Sequence, residues 1–132
     1  MNDYELNELE LAPASVVKQA ARDFAAALAE TPQFRAYEEA VERLNHDTGA
    51  QRAIGAFQAK QQSLQAMLML NAVSEADKAE LQRLQRAFSS APAVVAYAQA
   101  QADLMAICQT SADWLSEAIG LNYAATCGSG CC

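Results

Sequence analysis

The chain lacks most of what catalysis and nucleic-acid recognition require. It has one histidine in 132 residues, which excludes most metalloenzyme schemes. No Gly-rich phosphate loop, Ser/His/Asp set or His-rich ligand cluster can be picked out. Aromatic residues make up only 7%, so the core must be modest for a chain of one domain's length. Positive charge is scarce as well. Nine Lys and Arg against sixteen Asp and Glu give a net charge of −7. A nucleic-acid surface needs clustered Lys and Arg to release phosphate counterions. Here the basic residues are dispersed, Arg83 and Arg86 being the nearest thing to a cluster. Any connection to RNA or DNA is therefore expected to run through another protein.

Long hydrophobic runs are missing too. The most apolar stretch, Ala66-Met-Leu-Met-Leu70, is far too short to span a bilayer and reads as a core segment. The acidic start, Met1-Asn-Asp-Tyr-Glu-Leu-Asn-Glu, has no apolar h-region, so no secretory signal is expected. A cytoplasmic location follows as the expectation, with thiols kept reduced and disulfides transient or regulatory. The terminal Cys131-Cys132 pair suggests dual prenylation, but no polybasic stretch precedes it, and an acidic chain is repelled by an anionic membrane.

No segment alternates as a strand does. Alanine- and glutamine-rich sequence with few β-branched residues favours helix. Pro13 opens a first helix, with Val17, Phe24 and Leu28 recurring at turn-compatible spacing up to Glu30. Thr31-Pro32 supplies the N-cap and first position of a second, whose stripe is Phe34, Tyr37, Val41 and Leu44. Asn45 to Gly49 weakens that helix, and Asp47 or Thr48 can cap a third carrying Ile54, Phe57, Leu64 and Leu68, with Gln61 interrupting the stripe. Ser74-Glu-Ala-Asp77 resembles a capping box ahead of Leu81, Leu84 and Phe88. Ser90-Ala91-Pro92 opens a fifth helix running to Gly120. The expected fold is all-α: an antiparallel bundle of about five helices over residues 1–122, followed by a flexible Cys-rich tail over 123–132. A faint repeat runs through it. Thr31-Pro32 to Leu44 aligns with Ala91-Pro92 to Leu104, each with Ala and Tyr near the first turn. Two similarly built helix starts are the expectation, rather than a solenoid.

The feature that is present in excess is sulfur at one end. Three of the four cysteines, Cys127, Cys131 and Cys132, fall in the last six residues, interleaved with glycine. A thiolate is a nucleophile and a soft metal ligand, and glycine lets a short backbone wrap a ligand. Free cysteine otherwise prefers burial. Yet the spacing is C-x3-C-C rather than paired C-x2-C knuckles, and three ligands fall one short of a tetrahedral or cubane set. The tail is thus open to three readings: metal or cluster ligation completed by another subunit, reversible thiol oxidation, or no chemistry. Cys108 lies upstream in register with Leu104 and Leu115 and is expected to be a buried, inert thiol.

The run from Val17 to Gln65, with Ala20-Ala21-Arg22-Asp23-Phe24-Ala25-Ala26-Ala27-Leu28, then Thr31-Pro32-Gln33-Phe34 and Tyr37, then Gln51 to Phe57, resembles the YlbF/YmcA family. Leu84, Phe88, Pro92-Ala-Val-Val-Ala-Tyr97 and the Cys-rich tail after a long helix are similar to it too. The likeness covers most of the chain and rests on helical patterning, the tail being its one diagnostic feature. It implies a small, cytoplasmic, self-associating and non-catalytic regulatory subunit. Such subunits act with related family proteins in a complex that affects RNase Y-dependent RNA maturation, and hence competence, sporulation and biofilm formation. It further implies a [4Fe-4S] cluster on that complex, which would give Cys127, Cys131 and Cys132 a task, with a partner or second subunit completing the ligand set.

Other conspicuous side chains have plain readings. His46 beside Asp47 is a solvated loop histidine; Glu38, Glu39 and Glu42 with Arg35 and Arg43 form a charged solvent face. Met67 and Met69 are expected to fill core gaps, and Trp114 to sit in the core or at a dimer interface. Three function classes remain: an adaptor sharing a cluster at its tail, a stand-alone thiol or metal sensor, and a helical scaffold with a dispensable tail. The long third and fifth helices are expected to keep apolar surface that a homo-oligomer buries.

Overall fold

The computed structural model describes residues 13–123 and 125. Among these residues five helices follow one another: α1 (Ala14–Ala29), α2 (Pro32–His46), α3 (Thr48–Met69), α4 (Glu75–Ser89) and α5 (Pro92–Ile119). No strand occurs among the described residues. Pro13 stands at the N-cap of α1 without a side-chain cap.

Each joint is made by the residue chemistry read above. Thr31 accepts a hydrogen bond from the Phe34 N–H at 3.2 Å and donates its hydroxyl to the Leu28 carbonyl at 2.7 Å, so one side chain serves the end of α1 and the start of α2. Asp47 is at once the last cap of α2 and the first of α3. Its carboxylate accepts from the Ala50 N–H at 2.9 Å, while the Gln51 side-chain amide donates to the Leu44 carbonyl, which the Asp47 N–H also reaches at 3.3 Å. At the far end of α3 the Ala72 N–H returns to the Met67 carbonyl and the Asn71 N–H to the Leu68 carbonyl. Asn71 takes φ 52° to do so, which closes the helix as a Schellman turn. Ser74 then caps α4, its hydroxyl accepting from the Asp77 N–H and donating to the Asp77 carboxylate, so the carboxylate meets the Ser74 hydroxyl rather than the backbone N–H that a capping box uses. Gly120 at φ 72° stops α5.

Two helix pairs carry the packing. α2 lies along α5 in the most extensive contact of the chain, and α3 along α4 in the next. Alanine makes the first pair close: Ala40 and Ala100 are buried and Ala93 is wholly so, with no side chain beyond Cβ to hold the backbones apart. Tyr37 and Tyr97, the matched tyrosines of the repeat, face each other there with ring centroids 5.8 Å apart. The second pair is an antiparallel hairpin, with Phe57 against Phe88 at 4.9 Å and Lys60 bonded to Asp77 at 2.8 Å. Leu64 and Val73 are its buried residues.

The repeat extends further than the sequence window suggested. The one shift that carries Pro32 onto Pro92 and Tyr37 onto Tyr97 also carries Lys18 onto Lys78, Phe24 onto Leu84, Ala27 onto Ala87 and Leu28 onto Phe88. It lays α1 and α2 over α4 and the first half of α5. The chain is two similar helix-joint-helix units separated by α3.

Three expectations need correction. Cys108 is exposed rather than buried. The half-buried seam of α5 steps through Ala100, Leu104, Ile107 and Ser111, and residue 108 is a hundred degrees round the helix from 107. Met67 and Met69 do not fill the core: they crown the turn end of the α3–α4 hairpin, Met69 being 82% exposed. Trp114 is 67% exposed, so its core reading is removed.

Candidate functional site

Among the described residues no group of three or more His, Cys, Asp or Glu could hold a metal ion. His46 is exposed, and its ring Nδ1 sits 2.8 Å from the Glu42 carbonyl, a local helix-end bond. Glu38, Glu39, Glu42, Arg35 and Arg43 all face solvent on α2, as a charged outer face does. Arg83 is spent on Glu80, which it grips with two nitrogens at 2.8 and 2.7 Å. That pairing draws the Glu80 carboxyl below its ordinary pKa and lifts the guanidinium above its own. The Tyr97 phenol holds Tyr37 above the ordinary phenol value, by hydroxyl–hydroxyl hydrogen bonding first and by repulsion between phenolates second. These are structural contacts between helices or within a turn. None is aimed into a cavity.

What the described fold offers instead is apolar surface without a partner. α1 meets α2 at their joint and makes no close backbone approach to any other helix. None of its residues is buried, and only Leu28 is even half-buried. A helix of 16 residues holds in water largely through the packing of an apolar face, because helices of about this length are marginal alone. The face exists: Val17, Phe24 and Leu28 recur along one side. Across from it runs the second half of α5, which outlasts the 15-residue α2 that covers its first half. Between the two helices lies an open groove of about 280 Å³, with Phe24, Ala27 and Leu28 on one wall and Ile107, Ser111 and Trp114 on the other. Leu115, Ile119 and Leu121 prolong the exposed apolar surface toward the end of α5.

Sequence reading set Val17, Phe24 and Leu28 along one helix, put Trp114 in the core or at a dimer interface and expected α5 to keep apolar surface, but did not bring α1 and α5 together as two walls. The signal it passed over is size. Between Val17 and Thr31 the only large apolar side chains are Phe24 and Leu28, set among alanines, too few to close a seam on a neighbouring helix. The matched unit shows the difference: there Phe88 stands where Leu28 stands here, and its ring closes on Phe57.

The thiols proposed as ligands from sequence, Cys127, Cys131 and Cys132, lie outside the described residues. Cys108 stands on α5 as a free, exposed thiol. No described helix is long and apolar enough to cross a membrane.

Among the described residues the fold is all-helical, with well-capped joints, a thin alanine core and an open apolar groove. The chain belongs to the YlbF/YmcA family: the family model described as "Control of competence regulator ComK, YlbF/YmcA" matches residues 17–120. That span takes in all of α2 to α5 and most of α1, both walls of the groove included. The family is a regulatory one. Comparison with curated proteins and with solved structures gave no match.

Proposed function

We propose that the chain is a non-catalytic regulatory subunit of a cytoplasmic complex that modulates RNase Y-dependent RNA maturation. It acts by protein contacts, on related family subunits and RNase Y-type machinery, and not by touching RNA. The open apolar groove between α1 and α5, in a chain that belongs to a regulatory family, is the observation that supports this most. Charge supports it as well. No Lys or Arg follows Arg86, so the whole of α5 is acidic or neutral and cannot track a phosphate backbone.

The proposal places a [4Fe-4S] cluster on the tail. The donor set suits it: three soft thiolates, Cys127, Cys131 and Cys132, match iron–sulfur chemistry better than any hard cation, and glycines at 128 and 130 permit the wrap. A partner or second subunit completes the fourth position. Bound there, the cluster would supply a redox- or iron-responsive group at the end of the chain, while α1 to α5 supply the contacts. Residues 1–122 are then the interaction domain and 123–132 the ligating tail.

Metal and sulfide analysis of anaerobically purified protein, alone and with candidate family partners, tests this. Replacing Cys127, Cys131 and Cys132 by serine should abolish iron and sulfide with helicity and melting unchanged, and Cys108→Ser should leave the metal in place. Iron retained by the tail variant, under conditions where the parent chain is loaded, overturns the ligand assignment. A loaded chain that needs no partner favours the stand-alone sensor.

A further inference from the structure

The backbone does not leave α5 at its free end. Gly120, at φ 72°, stops the helix, and by residue 123 the chain has come back to Ser116. The Ser116 Oγ accepts the Tyr123 N–H at 3.0 Å and donates to the Ala112 carbonyl at 2.8 Å. The Asn122 side-chain oxygen then accepts the Ala125 N–H at 3.1 Å, the bond with which an N-cap starts a turn. Ser116 is two residues past Trp114, about 200° round the helix, so this start lies on the side of α5 turned away from the groove. Back along that side, Ala112, Cys108 and Met105 follow at steps of four, four and three, the spacings that share one helix face. Ala112 is half-buried, Cys108 is exposed and Met105 is 64% exposed.

We infer that residues 126–132 lie back along this outer face of α5, with Cys127 over Ala112 and Cys131 and Cys132 beside Cys108 and Met105. Reach sets the register. Cys108 is eight residues back from Ser116, about 12 Å along the axis. Beyond Ala125, Cys127 is two residues on, roughly 7 Å of chain, and Cys131 is six, roughly 20 Å. Composition suits the pairing. No charged side chain occurs between Asp103 and Asp113, or after Glu117, so neither surface strips water from an ion in closing on the other. Asp113, beside Ala112, is held by the Gln109 amide at 2.9 Å. Cysteine is among the residue types most often buried, and Met105 with Cys108 offers a soft, polarizable surface to a segment that carries three more thiols. The inference deepens the reading of the tail as the ligating segment and rests on that reading for one consequence. The subunit that supplies the fourth ligand approaches the outer side of α5, and the groove stays open to another contact.

Disulfide equilibria in the metal-free full chain read this register without any iron. Three variants each keep Cys108 and one tail thiol, the other two tail cysteines being replaced by serine, as in Cys127→Ser with Cys132→Ser. Each is equilibrated, dilute, with reduced and oxidised glutathione. The Cys108 and tail sulfurs join, and the glutathione disulfide is reduced to two thiols that take up the two protons. Intact mass after alkylation separates the disulfide within one chain from linked pairs of chains. The bonded fraction gives the effective concentration of each tail thiol at Cys108. Cys131 or Cys132 should pair with Cys108 at least about tenfold more favourably than Cys127 does. A tail that does not dock has a shallow preference the other way, because closing the longer loop costs slightly more. The same measurement in strong denaturant supplies that reference. A native ratio equal to the denatured one, or a native preference for Cys127, overturns the inference. Iron and sulfide content of the loaded protein is read separately and does not depend on Cys108 pairing, so failure of the docking and failure of the ligand assignment are told apart.

Discussion

At the scale of single residues, the chain separates side chains that hold the fold from those that are free to serve something else, and Cys108 falls on the other side of that line from where its spacing put it. Leu64 is 3% exposed and Cys108 is exposed, although both sit on apolar-looking helix faces. Leu64→Ala should therefore cost about 2–5 kcal/mol through the cavity it leaves, whereas Cys108→Ser should change stability by less than about 0.5 kcal/mol. Urea unfolding of the two variants decides it; a large loss at Cys108 would return that thiol to the core. The tight α2–α5 contact was legible in part. The matched Ala and Tyr positions could be read from the sequence, but that Ala40 and Ala100 share one interface depends on which helices pair, and local sequence does not encode that. Cys108 was misplaced for a similar reason: a one-residue choice in seam direction on α5 is settled by the neighbouring helix, not by spacing alone.

At the scale of the element, caps proved the most legible feature, because their chemistry is local. Thr31, Asp47 and Ser74 each bond the N–H groups that a helix start leaves open. Where α1 packs was not legible, since its amphipathic stripe says that it needs a neighbour without saying which. The α3–α4 hairpin carries a pH signature. Lys60 first, and then the Ser74 hydroxyl, hold the Asp77 carboxyl below its ordinary value. A depressed carboxylate pKa contributes stability above the unfolded-state value, and that stability is lost as pH falls through the folded value. The loss should therefore appear only below the usual aspartate range, as a shallow fall in melting temperature. Asp77→Asn should remove that component and leave behaviour near neutrality changed only through the lost ion pair. Thermal melts from neutral to strongly acid pH check this, and an unchanged acid limb in Asp77→Asn would contradict it.

At the scale of the whole molecule, two packed helix pairs make a fold whose core, among the described residues, has no large, fully buried side chain. Such a chain has apolar surface to spare on α1, on the end of α5 and at the hairpin tip, and under the proposed function that surface serves protein assembly. The proposed iron–sulfur group would lie on the Cys-rich tail, at the far end from α1 in sequence, so the proposal assigns contact and sensing to separate segments. The central claim is that the chain regulates RNA maturation as a subunit. Its most direct test is transcript-end mapping in cells deleted for the chain and complemented with the parent sequence, Ile119→Glu, or the triple tail-serine variant. Deletion should leave RNase Y-dependent ends unprocessed. The parent sequence should restore them, and each variant should fail to do so while accumulating to the parent level. Transcript ends unaltered by the deletion would contradict the account.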